Sequence, residues 1–211
     1  KHVSPPRNVV WQSLHDDHIL IRTPTKEKPR SKVAAFDLDG TLLVWSASFS
    51  GFWPNQLTHY ELWSSTVPAK LRALYDSGYK LLLISNQGGI QKAHKGKKAT
   101  LVKAVMDCLA HLVDRPVHAV MSTKSLKKAP EASFHKPTPR MWQVAIDALN
   151  KRQDMDLAQS FFVGDSADPN DSQGGVDLRF AQAVGKKHAA GDVSTVLKFY
   201  TPTDYFGPSD T

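Results

Sequence analysis

The hydrophobic residues of this chain fall into short apolar runs that stop at polar residues or glycine, as buried strands do. Four such runs are Val33–Phe36, Lys80–Ile84, Val117–Met121 and Phe161–Val163. Elsewhere, apolar residues recur at the spacing of a helix with one buried face. The helices predicted in this way are Pro68–Gly78, Leu101–Leu112, Thr138–Asn150 and Val176–Val184. Strands that alternate with helices predict a parallel sheet covered by helices on both faces.

The amino-terminal segment follows a different pattern. Two apolar stretches, Val9–Trp11 and Ile19–Ile21, flank a polar turn and predict a β-hairpin. Residues 23–32 are rich in Pro, Lys and Arg, which is typical of a connector. We therefore expect one three-layer α/β/α domain across the chain, with a lead-in hairpin and connector at 1–31 and the core at 32–211.

Composition is compatible with one substantial core and with an anionic partner. Hydrophobic residues make up 41% of the chain, and 27 Lys and Arg against 20 Asp and Glu give a net charge of +7. Such a charge favours nucleic acid or an acidic membrane surface as a partner, although an ordinary basic surface explains it equally well. No apolar run approaches the roughly 20 residues that a membrane span requires, so we expect no membrane insertion.

The chain has one cysteine, Cys108, which lies in the apolar pattern of a predicted helix. A single cysteine excludes a disulfide within the chain and argues against a zinc cluster. We interpret Cys108 as a buried structural thiol, which fits a reducing compartment.

Two acidic residues follow the first apolar run. Asp37 and Asp39 lie in the sequence Phe-Asp-Leu-Asp-Gly-Thr, directly beyond the predicted strand. Two carboxylates at this spacing can share a divalent cation, and they offer a nucleophile for phosphorus and a general acid and base. A solvated, Asp-rich turn is the alternative interpretation of this short motif alone.

Three further polar residues follow later strands. Ser85 closes the second strand, Lys136 precedes a predicted helix, and Asp165 follows the fourth strand. A hydroxyl can hold phosphate oxygens, a lysine can neutralise a phosphoryl group, and a further carboxylate suits a magnesium site. Because ligands bind beyond the carboxyl ends of parallel strands, we expect all these side chains to meet at one edge of the sheet.

This ordered set of Asp, Ser, Lys and Asp resembles the haloacid dehalogenase superfamily of aspartate-nucleophile phosphatases. The resemblance implies a haloacid dehalogenase-like, Rossmann-type fold and Mg²⁺ as the cofactor. Members of the superfamily usually carry a cap domain after the first motif or after the third strand. Here the corresponding gaps, 42–67 and 122–135, hold only 26 and 14 residues. We therefore expect a capless, open site, which suits a phosphate on a large polymer.

Finer motifs resemble one branch, the 3′-phosphatase domain of the polynucleotide kinase/phosphatase family. These motifs are Trp11–Leu14, Phe36–Leu42, Ser85–Ile90, Lys136–Thr138, Phe162–Asp165, Asp177–Ala181 and Phe199–Pro202. The sequence departs from the family at Ser166–Pro169, where an Arg often follows the Gly-Asp motif. The phosphate-binding loop that a kinase requires, Gly-x-x-x-x-Gly-Lys-Ser/Thr, does not occur in the chain.

The resemblance implies removal of 3′-phosphates from DNA strand breaks through an aspartyl-phosphate intermediate. It assigns the nucleophile to Asp37, the acid and base to Asp39, phosphate contacts to Ser85 and Lys136, and metal binding to Asp37, Asp39 and Asp165. We further expect substrate contacts from Thr41, Asn86, Gln87, Trp53, Lys124 and Arg140.

Lysine clusters at residues 92–98 and 124–128 follow two of the predicted strand ends. Together they predict a groove for the DNA backbone, although a solvated surface is the better interpretation of any single lysine. Trp53 is the aromatic residue that we expect to stack on a terminal base.

Two other functions are compatible with the sequence. One is a capless phosphatase for small molecules such as histidinol phosphate or heptose phosphate, although such relatives often carry a cysteine-rich zinc loop. The other is a non-catalytic module that binds DNA ends and recruits other repair proteins, although binding alone does not need a nucleophile. We expect a monomer that acts on single-stranded or frayed DNA 3′ ends, and the family implies the nucleus, with a mitochondrial role left open.

Overall fold

A computed structural model describes residues 8–51, 54–90, 96–126, 128–170, 174–188 and 197–210. The strands in these residues are β1 (Val9–Leu14), β2 (Ile19–Pro24), β3 (Val33–Phe36), β4 (Leu43–Trp45), β5 (Tyr60–Leu62), β6 (Lys80–Asn86), β7 (Val117–Ser122), β8 (Phe161–Val163) and β9 (Lys198–Tyr200). The α-helices are α1 (Val67–Asp76), α2 (Lys97–Val113), α3 (Arg140–Val144), α4 (Val176–His188) and α5 (Pro202–Phe206). Turns of 3₁₀-helix occur at Leu57–His59, Pro130–Ala132 and Leu157–Gln159.

Seven of these strands form one sheet in the order β1-β2-β7-β6-β3-β8-β9. The five strands from β7 to β9 run parallel to one another. The hairpin of β1 and β2 extends this sheet, because β2 pairs antiparallel with β7. The predicted α/β fold with a parallel sheet and an amino-terminal hairpin is therefore confirmed.

The two faces of the sheet bury two separate groups of hydrophobic residues. Successive side chains of a strand point to opposite faces, so neighbours on β3 belong to different groups. Phe36 packs in one group with Leu71 of α1 and Met106 of α2. Ala35 packs in the other group with Trp142 of α3 and Phe180 of α4. This arrangement makes the three layers that the sequence predicts.

The predicted strands and helices are present, with bounds that differ by a few residues, except for the helix at 138–150. There α3 covers only Arg140–Val144 and continues as one π-helical turn at Ala145–Leu149. The hairpin of β4 and β5, strand β9 and helix α5 were not predicted. Each has only three to five residues, which is too short to display a period. None of the helices in the described ranges is long and apolar enough to cross a bilayer.

The predicted connector is fixed to the amino-terminal edge of the sheet by polar contacts. The guanidinium of Arg30 donates to the carbonyls of Tyr75 and Tyr79 at 2.8 and 3.0 Å. The side-chain amide of Asn150 accepts from the backbone N–H of Arg30 and donates to its carbonyl, both at 3.0 Å. These bonds explain why a segment rich in Pro, Lys and Arg takes one conformation.

A buried Lys–His pair lies beside this connector. Lys80 and His118 are 1% and 2% exposed, and Lys80 Nζ lies 3.1 Å from His118 Nε2. Lys80 Nζ also donates to the carbonyl of Leu149 at 3.2 Å. Burial lowers the pKa of Lys80 to about 8 and lowers the pKa of His118 well below its usual value.

Lys80 should make the stability of the protein depend on pH in the alkaline range. Between pH about 8 and 10.5 the unfolded chain still holds the Lys80 proton that the folded chain has released, since the folded pKa is the lower one. The free energy of unfolding therefore rises with pH in this window, by at most about 1.4 kcal/mol per pH unit. Below pH 8 both states are protonated, and the full cost of the buried charge is present.

The measurement is chemical denaturation of the wild type, Lys80→Met and Lys128→Met between pH 7 and about 9.5. We expect the stability difference between the wild type and Lys80→Met to change with pH only above about 8. Lys128 is exposed, so Lys128→Met should follow the wild type at every pH. If the difference in the free energy of unfolding between the wild type and Lys80→Met were the same at every pH, the lowered pKa of Lys80 would be contradicted.

Candidate active site

Asp37 and Asp39 lie in a tight loop directly after the central strand β3. The backbone N–H of Asp37 donates to the carbonyl of Val163 at 2.9 Å, which continues the pairing of β3 with β8 by one residue. Gly40 then takes a φ of +73°, a conformation that glycine adopts without strain. Its N–H donates to the carbonyl of Leu43 at 2.8 Å and so closes the loop.

Lys136 is the cation at the centre of the site. Its Nζ pairs with Asp37 Oδ1 at 2.8 Å and donates to Asp177 Oδ1 at 2.6 Å. All three residues are buried, with exposed fractions of 4% for Lys136, 8% for Asp37 and 1% for Asp177. Burial lowers the pKa of Lys136, but the carboxylates of Asp177 and Asp37 outweigh it and raise the pKa above its usual value. Lys136 therefore stays charged.

The backbone of Lys136 is held by the end of strand β6. The side-chain amide of Asn86 donates to the Lys136 carbonyl at 3.1 Å and accepts from the Lys136 N–H at 2.8 Å. The substrate contact expected of Asn86 stays a prediction, and the structure shows that its side chain holds the Lys136 backbone. It joins the loop after β7 to the carboxyl end of β6.

Three carboxylates converge around this lysine. Carboxylate oxygens of Asp37, Asp165 and Asp177 all lie within 4.8 Å of one another. Asp37 follows β3, Asp165 follows β8 and is exposed, and Asp177 lies in the first turn of α4. When ionised, the three acids carry two more negative charges than the single ammonium of Lys136 balances.

Two of these acids have raised pKa values, and burial is the main cause for both. Burial, with the charge of Asp177 adding to it, raises the pKa of Asp37 to about 7 against the opposing effect of Lys136. Burial and the charge of Asp177 also raise the pKa of Asp165 to about 6. A divalent cation among these oxygens would remove the imbalance, and hard oxygen donors are the ligands that Mg²⁺ prefers.

Asp177 was absent from the residues assigned to the site from sequence. It lies in a motif that supports the family resemblance, but at a helix start rather than directly after an apolar run. Its second oxygen accepts from the backbone N–H of Ser166 at 3.2 Å, which aims the other oxygen at Lys136. The motif Asp177–Ala181 was the signal that could have identified Asp177 as a site residue. Its contact with Ser166 spans 11 residues, so no local pattern displays it.

Asp39 does not belong to the group of three acids, although we expected it to bind metal. Its Oδ2 accepts from Gln87 Nε2 at 2.7 Å, and the same nitrogen donates to Ser85 Oγ at 3.1 Å. Burial raises the pKa of Asp39, while the bond from Gln87 and the charge of Lys98 act to lower it. Gln87, expected to contact substrate, therefore connects the Asp39 carboxylate to the Ser85 hydroxyl.

The structure describes three of the four other residues expected to bind substrate. Thr41 is completely buried, and its Oγ1 has no hydrogen-bond partner among the described residues. Arg140 is exposed at the start of α3, with its guanidinium 4.5 Å from the centre of the Phe134 ring. Lys124 is half-buried, and its carbonyl accepts from Ser122 Oγ at 3.4 Å. Trp53 lies outside the described residues.

The lysine clusters are described in part. Lys97 and Lys98 begin α2, with Lys97 exposed and Lys98 half-buried, and Lys128 is exposed in the loop after β7. The structure does not describe the other lysines that the groove prediction includes, which are Lys92, Lys95 and Lys127.

A methyl group at Gly40 should disable the site. A Cβ at this position would collide with the Asp165 carboxylate, and φ is +73°. We expect Gly40→Ala to lower activity by about 100-fold, since a misplacement of about 1 Å within a site can cost that much. The measurements are phosphate release by Gly40→Ala from a 3′-phosphorylated oligonucleotide and the melting temperature of this variant.

Gly207→Ala is the matched control for this substitution. Gly207 has a φ of +91°, but an added Cβ would meet nothing within 4 Å. With ψ at −176°, this is a conformation that residues other than glycine rarely adopt, so the variant carries backbone strain of about 1–3 kcal/mol without the collision. Equal activity losses in the two variants would show that strain, and not the displaced carboxylate, is responsible.

Comparisons with known proteins identify similar sequences and a similar fold. Residues 32–206 match the family model described as "Polynucleotide kinase 3 phosphatase". The chain is 32% identical over 187 residues to "Polynucleotide 3'-phosphatase ZDP" of Arabidopsis thaliana, covering 85% of this chain and 24% of that protein. It is 30% identical over 192 residues to "Bifunctional polynucleotide phosphatase/kinase" of Schizosaccharomyces pombe, covering 90% and 41%. The chain thus spans less than half the length of either relative.

A solved structure shares the fold. The D,D-heptose 1,7-bisphosphate phosphatase from B. bronchiseptica, crystallised with magnesium and phosphate, aligns with a TM-score of 0.52 at 19% identity. The alignment covers 80% of this chain and 92% of that one.

Proposed function

The chain belongs to the polynucleotide kinase 3 phosphatase family, and on this basis we propose that it removes the terminal 3′-phosphate from DNA strand breaks. The observation that carries the proposal is the buried ion pair of Asp37 and Lys136 at the end of the central strand, 2.8 Å long. A carboxylate held beside a permanent cation at this place suits a nucleophile for phosphorus. The names of the relatives support the substrate, a phosphorylated polynucleotide end.

In the first step, Asp37 acts as the nucleophile. One of its carboxylate oxygens forms a bond to phosphorus while the bond between phosphorus and the 3′-oxygen breaks. Asp39 gives a proton to the departing 3′-oxygen, which leaves as the 3′-hydroxyl. Lys136 balances the negative charge of the phosphoryl group during the transfer, at a position where it is already fixed by Asp177.

In the second step, water releases the phosphate from Asp37. Asp39, now deprotonated, accepts a proton from the attacking water, whose oxygen bonds to phosphorus. The bond between phosphorus and the Asp37 oxygen breaks, which restores the carboxylate and yields inorganic phosphate. Ser85 holds a phosphoryl oxygen through its hydroxyl in both steps.

We assign Mg²⁺ binding to Asp37 and Asp165, with Asp177 beside them. Bound Mg²⁺ would supply positive charge to the phosphoryl oxygens as the transfer proceeds. The support is the set of three carboxylates within 4.8 Å, which face a single ammonium, that of Lys136. The heptose bisphosphate phosphatase that shares the fold was itself crystallised with magnesium.

The test is phosphate release from a 3′-phosphorylated oligonucleotide. A 5′-phosphorylated oligonucleotide and a sugar phosphate serve as competing substrates, and EDTA followed by Mg²⁺ tests the cation. We expect release from the 3′-phosphate alone, lost in EDTA and restored by Mg²⁺. Release from the sugar phosphate alone would support a small-molecule phosphatase, and tight DNA binding without release would support an end-binding module.

A further inference from the structure

We propose that Gln87 is a positioning residue that determines which oxygen of Asp39 carries the catalytic proton and where the Ser85 hydroxyl points. The inference deepens the proposed function and rests on it, because it concerns the protonation of the 3′-leaving oxygen. It gives a specific role to an amide that is 5% exposed and reaches both residues.

The backbone around Gln87 is anchored, so its side chain has a fixed origin. The N–H of Gln87 donates to the carbonyl of Ser122 at 2.7 Å, which extends the pairing of β6 with β7 beyond the strand end. The carbonyl of Gln87 accepts from the N–H of Ile90 at 3.0 Å. Both bonds come from the protein itself, and neither depends on a ligand.

The amide nitrogen of Gln87 has two hydrogens, and each has a separate acceptor. One points to Asp39 Oδ2 at 2.7 Å and the other to Ser85 Oγ at 3.1 Å. When Asp39 is ionised, as it is after giving up its proton, the reverse orientation would place the amide oxygen against a carboxylate oxygen with no hydrogen between them. The nitrogen is therefore the atom that faces Asp39 and Ser85.

These two bonds constrain the protons of both partners. A carboxyl group accepts hydrogen bonds best at its carbonyl-type oxygen, so an Oδ2 bound to Gln87 leaves the proton of Asp39 on Oδ1. Ser85 Oγ accepts from Gln87, so its own hydrogen remains available to donate to a phosphoryl oxygen. One amide thereby presents two proton-bearing groups in defined directions.

A change of leaving group distinguishes a positioning role of Gln87 from a purely structural role. A departing 3′-oxygen needs a proton, whereas a departing thiolate does not, since thiols are acidic enough to leave ionised. An oligonucleotide that ends in a 3′-S-phosphorothiolate replaces only the leaving oxygen by sulfur. If Gln87 acts through the Asp39 proton, its loss should affect the oxygen substrate far more than the sulfur substrate.

The experiment measures kcat/KM for both oligonucleotides with the wild type, Gln87→Met, Gln87→Glu and Asp39→Asn. We expect Gln87→Met to reduce turnover of the oxygen substrate by about 10–100-fold, part of the usual effect of general acid catalysis. We expect a clearly smaller loss with the sulfur substrate, because only the contribution of the Ser85 hydroxyl is lost there. Gln87→Glu should be at least as impaired, because a carboxylate cannot supply both donors. In the Asp39→Asn background, Gln87→Met should leave the ratio of the two rates unchanged.

Each rate ratio comes from one preparation, so a partly unfolded variant does not alter it. The matched control is Asn150→Ala, which removes a buried amide at the opposite edge of the sheet and should lower the melting temperature without moving the ratio. Equal losses on both substrates, or full activity in Gln87→Glu, would overturn the role of Gln87. A wild type that releases no phosphate from the oxygen substrate would instead contradict the proposed function.

Discussion

Replacing Asp37 by Asn should reduce phosphate release from a 3′-phosphorylated oligonucleotide by about 10⁴-fold or more, since the attacking oxygen is removed. The fold should survive the change. Burial raises the pKa of Asp37 to about 7, so the ionised form is costly in the folded protein and a neutral isostere is tolerated. We expect a free energy of unfolding at pH 8 that equals or exceeds that of the wild type.

The comparison for this variant is Asp168→Asn. Asp168 lies in the loop after Asp165, where its Oδ1 accepts from the N–H of Asn170 at 2.8 Å. The same chemical change there should leave turnover within about twofold of the wild type, as is usual for substitutions away from the core. If Asp37→Asn turned over the substrate at a rate near that of the wild type, Asp37 would not be the nucleophile.

Replacing Lys136 by Met should damage both stability and catalysis. Lys136 is the cation within 2.8 Å of Asp37 and 2.6 Å of Asp177, so its removal leaves two buried carboxylates without their partner. Breaking a buried ion pair in this way costs about 3–5 kcal/mol. Turnover should fall by at least about 100-fold, since a preorganised charge at the phosphoryl group is also lost. Denaturant unfolding and phosphate release measure the two effects.

A double variant separates these two losses. In Lys136→Met/Asp177→Asn one of the stranded carboxylates is neutral, so part of the lost stability should return while turnover stays low. Lys28→Met, which changes an exposed lysine in the connector before β3, should resemble the wild type in both assays. If Lys136→Met were as stable as the wild type, the ion pairs of Lys136 with Asp37 and Asp177 would not stabilise the fold.

The fold and most of the acidic centre followed from local pattern. Asp37 and Asp165 come directly after apolar runs, and a parallel sheet brings the ends of such runs to one edge. Lys136 was identified from its motif before a helix, and the structure places its ammonium against Asp37. These positions depend on neighbours within a few residues, which a sequence displays directly.

The contacts that support the catalytic side chains did not follow from pattern. Substrate contacts of Asn86 and Gln87 stay predictions, and the structure adds that their side chains bond to Lys136, Asp39 and Ser85. An amide next to a catalytic motif looks the same in a sequence whether it contacts a ligand or a side chain. The direction of the Gln87 side chain is set by strand register, since the backbone N–H of Gln87 is held by the carbonyl of Ser122 on the neighbouring strand.

The order of apolar runs and helical periods by itself determined an α/β/α architecture and the edge at which the acids collect, because burial imposes those periods on the residues nearby. Only the tertiary structure decided that Asp177 completes the acidic group and that Asp39 faces Gln87. Both contacts join segments distant in sequence, 41 residues for Lys136 with Asp177 and 48 for Gln87 with Asp39. Such pairs are set by how the sheet packs and not by any local preference of the chain.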